Sequence, residues 1–71
     1  MLSFRITISR EDGENVWVRV DELKNDGYHF FDLYKTTSQS ASSMLILERE
    51  KARREDFFLE VIDKREKFVM V

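Results

Sequence analysis

The chain has 71 residues, 12 Lys and Arg against 14 Asp and Glu, a formal net charge of −2, and neither cysteine nor proline. Those counts describe one small domain, residues 1–71, that buries only about 60% of the surface its unfolded form exposes. They exclude a disulfide staple and thiolate chemistry. The start, MLSFRITISR, has neither a basic leader nor an unbroken apolar stretch, and no run is long enough to span a bilayer. The expectation is a soluble, cytoplasmic protein that does not engage a membrane.

Charge is abundant but even. Residues 1–36 hold 5 basic and 7 acidic side chains, and residues 37–71 hold 7 of each. A duplex-DNA binder concentrates a basic excess on one face, because its affinity comes largely from neutralising phosphates. The balance disfavours nucleic acid as a partner.

Residues 2–9 alternate, with Leu2, Phe4, Ile6 and Ile8 on one side and Ser3, Arg5, Thr7 and Ser9 on the other, the period of a half-buried strand. EDGEN follows as a polar turn in which Gly13 can take a positive φ, and VWVRV is a second strand. Parity puts Val16, Val18 and Val20 on the core face and Trp17, Arg19 and Asp21 on the other. The register that sets Arg5 opposite Asp21 is preferred over the one that sets it opposite Arg19. DELKNDG then turns the chain, through a helical turn ending at Gly27, and Tyr28 to Lys35 is a third strand. Strict alternation there places Phe31 and Leu33 on one face and Tyr28, Phe30 and Tyr34 on the other, so both faces need cover.

Between the apolar blocks MLIL and FFLEVI lies EREKARRED, rich in strong helix formers and free of Gly, Pro, Asn and Ser. Glu50 meets Arg54 and Lys51 meets Glu55 at four-residue spacing; only Arg49 with Arg53 repels. Thr36-Thr37-Ser38 offers a hydroxyl cap, and Ala41, Met44, Leu45 and Ala52 fall on one face with Glu48 interrupting the stripe. The helix predicted runs from about Ser38 to Glu55. FFLEVID then reads as a strand, DKREK as a turn and FVMV as a short last strand.

The fold expected is therefore α+β: a three-stranded antiparallel meander, one helix and a C-terminal β-hairpin. The alternatives are an all-β small barrel or sheet, and a meander followed by one helix reaching about Lys67.

No residues converge in a way that chemistry requires. His29 is the only histidine, and Asp21-Glu22 and Glu55-Asp56 are adjacent in sequence and so diverge in space. No catalytic set, metal site or cofactor motif is present, and the chain reads as a non-enzymatic module. The features with binding potential are the outward aromatics Trp17, Tyr28, Phe30 and Tyr34, the neighbouring Arg5 and Arg19, and the arginines of the charged helix, Arg49 and Arg53. Aromatics beside arginines suit a protein hot spot or the stacked bases of a single strand. The first reading is a small regulator, inhibitor or assembly subunit that occupies a partner protein or a second copy of itself as a homodimer. A single-stranded nucleic-acid binder is the alternative.

Overall fold

The computed structural model describes residues 2–65. The elements are β1 (Ser3–Asp12), β2 (Asn15–Lys24), β3 (Gly27–Thr37), α1 (Ser38–Glu55) and β4 (Phe58–Asp63). They make a small α+β fold, a four-stranded mixed sheet in the order β3-β2-β1-β4 with one helix packed on it.

Two features of the chain make the meander. Gly13, at φ 46, turns β1 into β2, and Gly27, at φ 120, opens β3 directly after the turn at Asn25-Asp26. The second turn is tight because β2 continues as strand to Lys24; the helical turn expected in DELKNDG does not form. β1 and β2 pair with Arg5 opposite Asp21, Ile6 opposite Val20 and Ile8 opposite Val18. That is the register that keeps Arg5 away from Arg19.

The helix occupies Ser38–Glu55, and its ends explain its length. Thr37 caps the start: its side-chain oxygen accepts from the Ser40 N–H at 3.1 Å. The Ser38 N–H donates to the Glu14 carbonyl at 2.7 Å and ties the helix to the first hairpin turn. At the other end Asp56 takes the left-handed conformation, φ 59, and the Phe57 N–H donates back to the Ala52 carbonyl at 3.0 Å. This is the six-to-one closure that terminates helices, made here with Asp where Gly is usual. A single helix running on toward Lys67 is thereby excluded, as is an all-β fold.

β4 differs from expectation in its pairing. It lies parallel to β1, with Phe4 opposite Leu59 and Ile6 opposite Val61, so the sheet is mixed. The geometry follows from connection length: β3 and β1 run the same way, and an 18-residue helix carries the chain over two strands to the far edge. FVMV and the hairpin proposed for it lie outside the described residues.

The core sits between α1 and one sheet face. Ile6, Ile8, Val16, Val18, Ala41 and Leu45 are buried, with Val20, Tyr34, Met44, Leu59 and Val61 packed against them. Ala52 is buried separately at the far end of the helix. A second anchor is polar: Arg65 donates to the Ser38 carbonyl at 2.8 Å and to the Ser38 and Ser42 hydroxyls, and it pairs with Asp63. It binds the end of β4 to the first turn of the helix.

One irregularity decides which side chains face out. β3 pairs Asp32 with Val20 and Phe30 with Asp21, so Phe31 is an extra residue, a bulge. The two halves of β3 are thus out of phase. Tyr28 and Phe30 lie on the face away from the helix with Leu33, whereas Phe31 and Tyr34 lie on the helix side. Strict alternation had put Tyr34 with Tyr28 and Phe30 and Leu33 with Phe31; the bulge corrects both pairs.

Candidate protein-binding face

The helix covers one face of the sheet, and the other carries the side chains of β1 to β4 that point away from it. Trp17, Leu23, Tyr28, Phe30, Leu33 and Phe58 are all exposed there, Phe30 to 61% and Phe58 to 54%. A monomer rarely exposes so large an apolar cluster without a use for it.

Cations are interleaved with these rings: Arg19 and Lys35 come from the strand beside their ring, and Arg5 from β1, across β2 from Tyr28. The Arg5 guanidinium lies 3.6 Å from the centre of the Tyr28 ring, Arg19 lies 5.5 Å from that of Phe30, and the Lys35 ammonium 5.6 Å from that of Trp17. From sequence alone, Tyr28 to Tyr34 show no basic residue; the pairing of β3 with β2, and the reach of Tyr28 across to β1, bring the cations in. Lys35 was missed as a member of the face because only the β2–β3 register, which sets it opposite Trp17, reveals it.

All three cations are ion-paired in place, Lys35 with Glu11 at 3.6 Å. Arg5 Nε donates to Glu60 Oε1 at 3.3 Å, and the Tyr28 hydroxyl donates to the same oxygen at 2.9 Å. The Tyr28 hydroxyl, and after it Arg5, hold the Glu60 carboxyl below its ordinary range. Arg19 Nε donates to Asp21 Oδ1 at 3.0 Å, and Asp21 is the one buried charged residue among those described, 5% exposed. A buried carboxylate needs such a partner, because an unpaired one is costly in low dielectric. The face therefore presents aromatic and aliphatic surface framed by satisfied ion pairs.

Five of the eight residues singled out in the sequence, Arg5, Trp17, Arg19, Tyr28 and Phe30, share this face. Tyr34 does not; it is half-buried under the helix. Arg49 and Arg53 stand exposed on α1, in the other layer, with the Arg49 charge helping to hold the Asp63 carboxyl below its ordinary range after the larger effect of Arg65.

Elsewhere His29 Nε2 lies 2.6 Å from Asp26 Oδ1 across the β2–β3 turn, both side chains well exposed, and the imidazole holds the Asp26 carboxyl low. Among the described residues no group of His, Cys, Asp or Glu could hold a metal ion, and no helix is long and apolar enough to cross a membrane. Family models, curated proteins and solved structures show no match to this chain.

Proposed function

We propose that the chain is a non-enzymatic protein-binding module whose helix-free sheet face docks on a partner protein or on a second copy of itself. The supporting observation is the cluster of Trp17, Tyr28, Phe30, Leu33 and Phe58, exposed together on one sheet face beside ion-paired arginines. Aromatics and arginine are the side chains that most often supply the energy of a protein interface. Rigid strands hold them, so little conformational entropy is lost on docking.

Stacked bases are the competing occupant. Against them stand the occupation of one Tyr28 ring face by Arg5 and the engagement of Arg5 and Arg19 with Glu60 and Asp21, which withdraws charge that phosphates would need.

A photo-crosslinking amino acid placed at position 30, with position 46 on the exposed side of the helix as control, tests the reading in cells. Position 30 should yield one discrete protein adduct, of a partner or of the chain itself, and position 46 none. Phe30→Ala, at a site 61% exposed, should cost the identified complex about 2 kcal/mol or more while leaving the fold intact. Low-micromolar oligonucleotide binding at physiological salt, with quenching of Trp17, would instead assign the face to single strands.

A further inference from the structure

The layer between helix and sheet is incompletely filled. A cleft of about 290 Å³ opens where the second half of α1 crosses the sheet, and its lining includes Phe4, Phe31, Tyr34, Phe57, Asp32 and Glu48. The sequence creates it. Between Leu45 and Ala52 the helix turns Glu48 toward the sheet where a large apolar residue would close the layer, and Ala52 beyond it is too small to do so.

The walls are aromatic. Phe4 stands edge-on to Phe31, with centroids 5.8 Å apart, and to Phe57, with centroids 5.6 Å apart. The mouth is acidic. Asp32 spends one carboxylate oxygen on the Leu33 N–H at 2.8 Å, and neither Asp32 nor Glu48 has an ion pair among the described residues. Lys51 is the one cation in the lining, against two carboxylates. Desolvation raises the Tyr34 phenol above its ordinary value, and the nearby Asp32 and Glu48 charges raise it further.

We infer that this cleft is a binding site for a small organic amine with an aromatic or branched apolar body, the body against Phe4, Phe31 and Phe57 and the ammonium between Glu48 and Asp32. The volume, roughly that of ten liquid waters, suits a single-ring ligand. Ring faces and carboxylates both attract an ammonium and both disfavour a carboxylate ligand of the same shape. The site is distinct from the open face, since it lies on the other side of the sheet; Phe4 and Phe57 are half-buried, Phe31 at 61% exposure forms its outer wall, and the volume of about 290 Å³ admits one small molecule.

The probe is 4-phenylbutylamine, titrated into the isotopically labelled chain and followed by amide chemical shifts, with 4-phenylbutyrate as the matched anion. The amine should give saturable shifts centred on Phe31, Tyr34, Glu48 and Leu59, and the anion should bind about three- to fivefold more weakly, the worth of an exposed ion pair. Glu48→Gln, which suits a helix equally well, should remove that preference without moving the melting temperature. Glu48→Leu should fill the cleft and abolish binding of both probes while the shifts of Trp17 and Phe30 stay native. Absence of saturation by about 10 mM, equal affinity for amine and anion, or shifts centred on the open face would each overturn the assignment. A cleft that receives only a partner protein's side chain would give the first of those results.

Discussion

Deleting Phe31 tests the bulge, on which the composition of the open face depends. In an ordinary strand, loss of one residue turns every later side chain to the opposite face. Here Phe31 is the unpaired residue between Phe30 and Asp32, whose partners Asp21 and Val20 are adjacent. Removing it joins two residues that already face opposite ways, so Tyr28 and Phe30 keep their orientation and the ladder becomes regular. What is lost is the ring. Phe31 is 61% exposed, so about two fifths of a side-chain area of roughly 200 Å² is buried, about 80 Å² or about 2 kcal/mol as an upper bound. The edge-on contact with Phe4 adds about 0.5–1 kcal/mol. Deletion and Phe31→Ala should therefore both cost about 2–3 kcal/mol, lowering the melting temperature by roughly 10 to 20 °C for a domain of this size. Circular-dichroism melts of the two variants, with an amide spectrum to check that Trp17 and Arg19 keep their environments, decide the matter. A deletion variant that is unfolded, or more than about 2 kcal/mol below Phe31→Ala, would refute the bulge and with it the membership of the open face.

Three further outcomes follow from the helix and its neighbours. Ala52→Pro removes an internal hydrogen bond and clashes one turn back, at a buried position, and should cost about 3 kcal/mol or more in a denaturant melt. Asp56→Gly should stabilise by about 1 kcal/mol, because it relieves a left-handed non-glycine residue and removes a negative charge from the helix C-terminus; a lower melting temperature would contradict the cap geometry. Arg65 holds the Asp63 carboxyl below its ordinary range, so the stability this pair contributes is complete above the unfolded pKa of about 4 and is lost as pH falls through the lower folded value. Asp63→Asn should flatten the acid limb of a stability–pH curve measured between pH 6 and 2 (roughly the range over which carboxylates titrate), whereas an unchanged limb would show that the pair carries no linkage.

What was legible in the sequence is what local periodicity and local chemistry determine. Alternation in residues 2–9 and 16–20 gave the first hairpin, and like-charge avoidance between Arg5 and Arg19 chose its register. The hydroxyl cap and the helix-forming run EREKARRED gave α1 with both ends, and the density of Phe, Val and Ile gave β4. The partner of β4 was not legible, because nothing in FFLEVID distinguishes a parallel neighbour from an antiparallel one; the choice is made by the direction in which α1 delivers the chain. Nor was the bulge, since YHFFDLY satisfies a period of two well enough to hide a phase change that only the Val20 and Asp21 pairings reveal. That one residue is why strict alternation puts Tyr34 on the wrong face and hides Leu33 from the cluster.

The helix shows how little of its own apolar surface an element needs when its ends are held. Only Ala41, Leu45 and Ala52 are buried along 18 residues, and two of those are alanines that contribute little area. Most of a helix's stability in a protein comes from its tertiary contacts rather than from propensity. Its persistence here rests on contacts that are mostly polar and terminal: the Thr37 cap, the Ser38 bond to the first hairpin turn, the Arg65 bridge from β4, and the closure of Phe57 on Ala52. A helix fastened at its ends needs no continuous apolar stripe, and the turn between Leu45 and Ala52 is therefore free to carry Glu48. The same arrangement accounts for both candidate surfaces. Two-sided burial would require a second layer on the sheet, which the described residues do not supply, so the open face keeps its aromatics exposed; and end-fastening leaves the cleft under α1 unfilled without unfolding the helix. Strengthening the middle of the helix by Glu48→Leu should therefore raise stability and close the cleft, yet leave protein docking through Phe30 unaffected, so that the two surfaces separate experimentally in a single variant.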